Sequence, residues 1–219
     1  MAGIPVLGVR SAEVCFRDRT VTESPLGENI LFVERWMRNP LTVGAIAPSG
    51  PCLCRSMARA AGAAPGRRIV ELGPGTGVMT RALIDAGVEA SDLLLVELDR
   101  SFAARLAGAY PGACVVRENA CHLRRITRDH GWQGCDAIVS GLPLINFTGA
   151  VQLRILSGAF ASLGPQGVFV QFTYGPFSPV APAVLRRLGL TGTRTGWIVR
   201  NVPPAFVWTY RRAPGPSPL

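Results

Sequence analysis

Lysine is absent from this sequence, and no acidic residue follows Asp136. All 23 basic residues are arginines, and the formal net charge is +9. The stretch without carboxylates contains Arg154, Arg186, Arg187, Arg194, Arg200, Arg211 and Arg212. Such a one-sign surface suits phosphate groups, whether on a nucleic acid or on a lipid. The alternative is a solvated arginine-rich face that reflects a GC-rich genome.

Metal-binding and disulfide patterns are also lacking. The six cysteines are irregularly spaced without a C-x-x-C pair, and there are only two histidines, so neither a zinc site nor a disulfide framework is predicted. No apolar run approaches the roughly 20 residues that cross a bilayer, and no charged-then-apolar leader opens the chain. We therefore expect a cytoplasmic protein with reduced thiols, attached at most to the inner face of the cell membrane.

The chain is long enough for one domain with a full core, since 48% of its 219 residues are apolar. Residues 1–25 show no sustained period and predict a flexible leader. A helix is predicted over 26–38, and Asn39 and Pro40 end it. Its apolar face either packs on the rest of the domain or lies on a membrane surface. The residues of that face are Ile30, Phe32, Val33, Trp36 and Met37.

From residue 68 onward, short apolar runs alternate with helical patterns. The runs are RIVELG, LLLVEL, ACVVR, DAIVSG and GVFVQFTY, with helical patterns near 77–86, 101–108 and 150–162. Continuous apolar strands between helices predict a parallel sheet covered on both faces. Two further strands, near 195–200 and 205–210, are joined by a link too short for a crossover, which predicts an antiparallel hairpin. The sequence therefore predicts an α/β domain over residues 51–219 with the seven-stranded, Rossmann-like layout of class I methyltransferases.

The run VELGPGTGVMTRAL predicts a buried strand, a glycine turn and the start of a helix. Gly73, Gly75 and Gly77 would let the backbone approach a ligand closely at the carboxyl edge of the sheet. A lone G-x-G-x-G pattern also occurs in other nucleotide-binding domains. Glu71, just before the turn, favours a cationic ligand over a dinucleotide, because a carboxylate there repels a pyrophosphate.

Polar positions after the next two strands extend this site. Glu97 ends the second strand, at the offset typical of a carboxylate that binds ribose hydroxyls. Asp99 is the alternative for that role, and Glu97 could instead cap the next helix. Asn119 follows the third strand, where its amide can reach the amino group of adenine. With the adjoining Leu98 and Ala120, these residues predict S-adenosylmethionine as the cofactor.

Several motifs resemble known methyltransferase families. ELGPGTG, the glutamate that ends the second strand, and GLP after the fourth strand resemble the rRNA adenine dimethylase superfamily. FVERWMRNPLTVGAIAPSG, SGLPL, VQFTYGP and RNVPPAFVWTYRR are similar to bacterial phospholipid N-methyltransferases that act on phosphatidylethanolamine, and to their ornithine-lipid relatives. The resemblance implies transfer from S-adenosylmethionine to a lipid headgroup amine, stepwise toward phosphatidylcholine, with S-adenosylhomocysteine as product. It also implies that the helix over 26–38 lies on the membrane.

A segment before the first strand covers the methionine end of the cofactor in related methyltransferases. The resemblance therefore makes Ala45, Ile46, Pro48 and Ser49 candidates for a cofactor lid within residues 26–50. The alternative is that Pro48 and Gly50 only turn the chain into the next helix.

An acceptor site is predicted after the fourth strand, in SGLPLINF. Pro143 would shape the backbone so that Ser140 and the Gly141 and Leu142 carbonyls face the reacting amine. The motif lacks the aromatic ring that stacks a flat base, which favours a flexible aliphatic amine. Its apolar walls would be Leu142, Leu144 and Ile145.

Three further residues are candidates for contacts with the acceptor. Tyr174 would accept a proton from the amine or present its ring to the cationic headgroup; the alternative is a tyrosine of the core or its rim. Arg200 and Arg38 are the candidate donors to the headgroup phosphate, since arginine binds phosphate through paired donors.

The main rival function is RNA adenine dimethylation, because fold, charge and GLP all fit it. Leu144 stands where those enzymes would place a stacking ring, and they carry a helical C-terminal domain that is not expected here. We therefore expect a phospholipid substrate and an anionic membrane surface as partners, with no obligate protein partner evident and nucleic acid disfavoured. A non-catalytic membrane or RNA-binding protein on the same scaffold, and a small-molecule N-methyltransferase, are the remaining alternatives.

Overall fold

A computed structural model describes residues 50–198 and 204–214 of the chain. The helices are α1 (Pro51–Ala60), α2 (Val78–Asp85), α3 (Arg100–Ala109), α4 (Leu123–Asp129), α5 (Gly149–Ser162) and α6 (Pro182–Leu188). The strands are β1 (Ile69–Leu72), β2 (Leu93–Glu97), β3 (Cys114–Arg117), β4 (Cys135–Ser140), β5 (Leu163–Thr173), β6 (Leu190–Ile198) and β7 (Ala205–Arg212). Short 3-10 turns lie at Ala90–Asp92, Ala120–His122 and Leu144–Asn146.

The strands form one sheet in the order β3-β2-β1-β4-β5-β7-β6. Strands β1 to β5 are mutually parallel, whereas β7 pairs antiparallel with both β5 and β6. The predicted parallel sheet with a terminal hairpin is therefore confirmed. The order reverses between β1 and β4, and open α/β sheets bind ligands beyond the carboxyl ends of the strands at such a point.

Helices cover both faces of the sheet, as the continuous apolar strands predict. The apolar core beneath α1, α2 and α3 includes Leu53, Leu83 and Leu106. A second core under α4, α5 and α6 includes Ile126 and Ile155. Strands β1 and β2 are buried along their whole length. A three-layer scaffold thus positions the loops at the carboxyl edge.

Some elements differ from the sequence-based expectation. Helices α4 and α6 were not predicted, and β5 begins at Leu163 although Gly164 and Pro165 follow at once. The pairing of β4 with β5 is irregular there and becomes regular from Ala137 and Val168 onward. This irregularity accommodates a proline that would otherwise interrupt a strand. No helix in the described ranges, 50–198 and 204–214, is long and apolar enough to cross a bilayer.

Candidate active site

The glycine turn between β1 and α2 adopts the backbone that its sequence predicts. Gly73, Gly75 and Gly77 have φ of 66°, 53° and 83°, a region that side chains with a Cβ disfavour. The Gly73 amide donates to the Val96 carbonyl of β2 at 2.9 Å. The Tyr110 hydroxyl, just after α3, donates to the Gly77 carbonyl at 3.1 Å. The turn is therefore held from β2 and from the end of α3.

Glu97 faces this turn from the end of β2. Its side chain is buried, and its Oε2 accepts a hydrogen bond from the Gly75 amide at 2.9 Å. Burial is the main cause that raises the pKa of Glu97. Asp99, the alternative candidate, instead caps α3 by accepting from the Ser101 and Phe102 amides. The carboxylate next to the glycine turn is therefore that of Glu97, and the capping role belongs to Asp99.

Glu71 is enclosed at the end of β1, with 1% of its surface exposed. The Thr80 hydroxyl of α2 donates to its Oε2 at 2.7 Å. Burial raises the pKa of Glu71 to about 8; the Thr80 hydrogen bond opposes this shift, and the charge of Glu97 adds to it. A cation brought close to this carboxyl would stabilise its ionised form.

Asn119 lies at the start of the 3-10 turn after β3 and is half-buried. Its Oδ1 accepts from the Cys121 amide at 2.9 Å. A carbonyl oxygen has two lone pairs, so Oδ1 keeps the capacity to accept from an adenine amino group. Leu98 and Ala120, also half-buried, follow the ends of β2 and β3. All of these residues share the carboxyl edge with the glycine turn.

A cavity of about 220 Å³ lies between the loop after β4 and the end of β5. None of the described residues that line it has an acidic side chain or a basic one. Six residues of the predicted acceptor site are part of its lining: Gly141, Leu142, Pro143, Leu144, Ile145 and Tyr174. The full set is Gly141, Leu142, Pro143, Leu144, Ile145, Asn146, Phe172, Thr173, Tyr174, Gly175 and Pro179.

The cavity loop packs directly on the glycine turn. The Gly141 amide donates to the Leu72 carbonyl at 2.8 Å. A Cβ at Gly141 would lie 2.8 Å from the Gly73 carbonyl oxygen, and a Cβ at Gly73 would lie 2.7 Å from Leu142 Cδ2. Both distances are shorter than a side chain permits. Because neither glycine has a Cβ, the loop that lines the cavity can pack closely against the predicted cofactor turn.

The prediction that the Leu142 carbonyl faces the reacting amine is wrong. This carbonyl accepts from the Leu144 amide at 2.8 Å and from Gln171 Nε2 at 2.9 Å, so both of its lone pairs are used. Ser140 is fully buried, and its Oγ accepts from the Leu142 amide at 3.3 Å. The side chain of Ser140 thus supports the loop from the interior.

Tyr174 and Phe172 form an aromatic corner at the end of β5. Their ring centres are 5.5 Å apart and the ring planes are nearly perpendicular, at 85°. This edge-to-face arrangement is a favoured one for aromatic pairs. Because both residues line the cavity, an aromatic ring is held at its wall.

Two buried glutamines near the cavity were not among the predicted site residues. Gln171 Nε2 ties β5 to the Leu142 carbonyl as described above. Gln152 of α5 donates from Nε2 to the Leu144 carbonyl at 2.7 Å and to the Pro179 carbonyl at 3.1 Å, and its Oε1 accepts from the Ala181 amide at 2.8 Å. Gln152 therefore joins the two loops that flank the cavity. A glutamine within an apolar helix pattern is the only signal that the sequence carries.

Other predicted residues lie outside the described part of the chain. These are the lid candidates Ala45, Ile46, Pro48 and Ser49, the membrane helix over 26–38 with Arg38, the leader over 1–25, and Arg200.

No protein-family model matches the chain. It is 29% identical over 150 residues to an ornithine lipid N-methyltransferase of Singulisphaera acidiphila, covering 67% of this chain and 78% of that protein. It is also 30% identical over 178 residues to the ribosomal RNA small subunit methyltransferase A of Streptomyces avermitilis, covering 72% of this chain. The chain spans only 58% of the length of that second relative.

A solved structure of similar fold is the Burkholderia thailandensis 1,6-didemethyltoxoflavin-N1-methyltransferase, determined with S-adenosylhomocysteine bound. The TM-score is 0.63 at 16% identity, over 90% of this chain and 94% of that one. The chain is thus similar in sequence and in fold to S-adenosylmethionine-dependent methyltransferases. This similarity confirms the predicted class I fold and supports the predicted cofactor.

Proposed function

We propose that this protein is an S-adenosylmethionine-dependent N-methyltransferase whose acceptor is the headgroup amine of a membrane lipid. The observation that carries the proposal is the cavity after β4. Its loop packs on the glycine turn through Gly141 and Leu142, and its described lining offers apolar and aromatic groups without acidic or basic ones. The relative that methylates ornithine lipid, matched over most of its own length, supports the same substrate class.

The cofactor site is assigned to the carboxyl ends of β1, β2 and β3. In this assignment the glycine turn holds the methionine part, Glu97 with Leu98 binds the ribose, and Asn119 with Ala120 contacts the adenine. When bound, S-adenosylmethionine supplies a methyl group on a cationic sulfur. Glu71 lies at the end of the strand that leads into the turn, and its buried carboxyl would be drawn toward ionisation by that cation.

Methylation of an amine requires a neutral nitrogen lone pair. An alkylamine in water has a pKa near 10 and is mostly protonated at neutral pH. A cavity whose described lining offers no carboxylate does not stabilise the ammonium form by charge, so desolvation there lowers the amine pKa. Leu142 and Ile145 would pack on the aliphatic part of the headgroup, while the Tyr174 ring faces the cationic forms.

The proposed substrate is phosphatidylethanolamine with its mono- and dimethyl forms, which leads to phosphatidylcholine. Ornithine lipid presents a primary amine on a similarly flexible stem and is the alternative within this class. Membrane attachment through the predicted helix over 26–38, at the inner face of the cell membrane, is part of this proposal. So are Arg38, at the end of that predicted helix, and Arg200, in the arginine-rich stretch after Asp136, as donors to the lipid phosphate.

A second candidate function is adenine N-methylation of ribosomal RNA, which the 30% identical relative favours. Leu144 is the residue that argues against it. A flipped base is held by stacking, and the Leu144 side chain is aliphatic and fully buried in the core. Among the described residues that line the cavity, the aromatic ones, Phe172 and Tyr174, both lie on its β5 side.

Label transfer to three acceptors tests the proposal. The purified full chain is incubated with methyl-labelled S-adenosylmethionine and, separately, phosphatidylethanolamine vesicles, ornithine-lipid vesicles and small-subunit ribosomal RNA. We expect label in methylated lipid, and less than about one tenth of it after Glu97→Ala weakens ribose binding. Label in RNA and in neither lipid would replace the proposal by the second candidate.

A further inference from the structure

Three large apolar side chains are exposed at the edge of the sheet that carries the site. Ile145, Phe177 and Trp197 are exposed to 57%, 79% and 64%. Ile145 follows β4, Phe177 follows β5, and Trp197 is near the end of β6. Strand β6 runs in the same direction as β5, because both are antiparallel to β7. The ends of all three strands therefore lie at one edge, and we call these three residues the edge patch.

The edge patch lies at the same edge of the sheet as the acceptor cavity. Ile145 lines the cavity, and Phe177 belongs to a loop whose Gly175 and Pro179 also line it. Phe206 is the register partner of both Thr173, a lining residue, and Trp197. The rings of Trp197 and Phe206 are stacked, with centres 6.2 Å apart and planes 3° from parallel. Ile145 thus belongs to the cavity, whereas Phe177 and Trp197 lie on elements adjacent to its lining residues.

The rings on β6 and β7 and the Phe177 loop share one face of the sheet. Phe206 and Tyr210 are an even number of residues apart on β7, so their side chains point to the same face. The Ser178 hydroxyl, next to Phe177, lies 2.8 Å from the Tyr210 hydroxyl. The loop that carries Phe177 is therefore fixed over the same face that Trp197 extends.

The charge beside the edge patch is positive. The guanidinium of the exposed Arg194 lies over the Phe206 ring, 5.3 Å from its centre. The stretch that builds the patch contains no Asp or Glu, since none follows Asp136. Tryptophan and arginine together are typical of groups at a lipid-water interface, where the ring sits among headgroups and the cation meets lipid phosphate.

We propose that the edge patch docks the catalytic domain on an anionic bilayer, with the mouth of the cavity facing the lipid headgroups. This inference rests on the proposed function: a lipid whose acyl chains stay in the bilayer can place its amine in the cavity only if the mouth meets the membrane. It adds a second contact, within the folded domain, to the one predicted for the helix over 26–38. Clusters of exposed apolar residues of this kind mark interaction surfaces.

Vesicle binding of a double variant tests the docking. In Phe177→Ser/Trp197→Ser, affinity for phosphatidylethanolamine-phosphatidylglycerol vesicles in flotation should fall about tenfold or more, since two interfacial aromatic anchors are lost. Methylation of those vesicles should fall in parallel. Methylation of monomeric, short-chain phosphatidylethanolamine should stay within about twofold of the wild type, because neither residue lines the cavity. Ala104→Ser/Ala109→Ser, on the exposed side of α3, is the matched control.

A second measurement does not depend on the folding of the double variant. The fluorescence of Trp197 is obtained as the difference between the emission of the wild type and that of Trp197→Phe. Vesicles with brominated acyl chains should quench this fluorescence. Equal vesicle binding by wild type and double variant, or no quenching of the Trp197 fluorescence, would overturn the docking while leaving lipid methylation intact. The docking would also be overturned if the double variant bound vesicles like the wild type but no longer self-associated. The edge patch would then be assigned to contact with a second copy of the chain. Absence of lipid methylation with patch-dependent vesicle binding would instead contradict the proposed function.

Discussion

Gln171 Nε2 lies 2.9 Å from the Leu142 carbonyl oxygen and so ties β5 to the loop after β4. The same nitrogen donates to the Phe172 carbonyl at 3.0 Å, and the side chain is 1% exposed. The floor of the acceptor cavity is therefore held by a side chain that does not itself line the cavity.

Removing the hydrogen bonds of Gln171 should reduce the rate of methylation more than the affinity for the cofactor. In Gln171→Met the volume is kept and both donated hydrogen bonds are lost, so the loop after β4 becomes less ordered. We expect kcat for lipid methylation to fall about tenfold, while the Kd for S-adenosylhomocysteine in calorimetry changes less than about twofold. Gln166→Met, an exposed position on the same strand, is the control and should behave as wild type. An unchanged kcat in Gln171→Met would show that the tie has no role in positioning.

The contact between Gly141 and Gly73 should be sensitive to a single methyl group. In Gly141→Ala the new Cβ would lie 2.8 Å from the Gly73 carbonyl oxygen, and backbone cannot move aside cheaply. Overpacking of this kind costs about 1–3 kcal/mol, so urea unfolding should show lower stability and both cofactor binding and methylation should weaken. In the control Gly149→Ala the nearest atom, Val184 Cγ2, is 3.9 Å away. A Gly141→Ala protein with wild-type stability and cofactor affinity would refute the close packing.

Glu71 makes the stability of the cofactor-free protein depend on pH. Burial raises its pKa to about 8 from an ordinary value of 4.5. Between these values the folded protein holds a proton that the unfolded chain releases. The free energy of unfolding therefore falls as pH rises from about 4.5 to about 8 and loses this dependence above that range.

Glu71→Gln isolates this contribution, because an amide keeps the bond from Thr80 and does not titrate. Urea unfolding of the cofactor-free protein at about pH 5 and about pH 8.5 should show a smaller decrease for the variant than for the wild type. Glu89→Gln, at an exposed glutamate, should follow the wild type. Parallel profiles for wild type and Glu71→Gln would contradict the raised pKa.

The ring of Tyr174, more than its hydroxyl, should matter for the acceptor. Its edge-to-face contact with Phe172 fixes the ring at the cavity wall, and cation–π attraction to the headgroup needs only the ring. We expect Tyr174→Phe to keep methylation of phosphatidylethanolamine within about threefold, and Tyr174→Leu to lose about tenfold or more. A loss of about a hundredfold in Tyr174→Phe would instead assign proton transfer to the hydroxyl.

Much of the fold could be predicted because it depends on local patterns. The apolar runs of β1 and β2 and the glycines of the turn signal their structure within a few residues. The start of β5 was not predicted because it contains Pro165, and a proline normally argues against a strand. Helix α4 is short, and four of the seven residues in LRRITRD are arginine or aspartate, so its apolar face was too narrow to recognise.

In the candidate site, the residues that could be predicted are those whose side-chain chemistry and position in the sequence already indicate a role. Glu71 could be picked out because its carboxylate precedes a glycine turn, where it suits a cationic ligand, and Glu97 because it ends the second strand at the offset of a ribose-binding carboxylate. Gln152 could not, because its partners at Leu144, Pro179 and Ala181 come together only in the folded chain. The wrong expectation for the Leu142 carbonyl has the same cause, since its second hydrogen bond comes from Gln171 on another strand.

The most direct test of lipid methylation is the lipid mass spectrum of a bacterium that makes phosphatidylethanolamine but no phosphatidylcholine, expressing the full chain. New lipids heavier by one, two or three methyl groups should appear with the wild type and be strongly reduced with Glu97→Ala. An unchanged lipid spectrum, with folded wild-type protein present that binds S-adenosylhomocysteine after purification, would contradict the account.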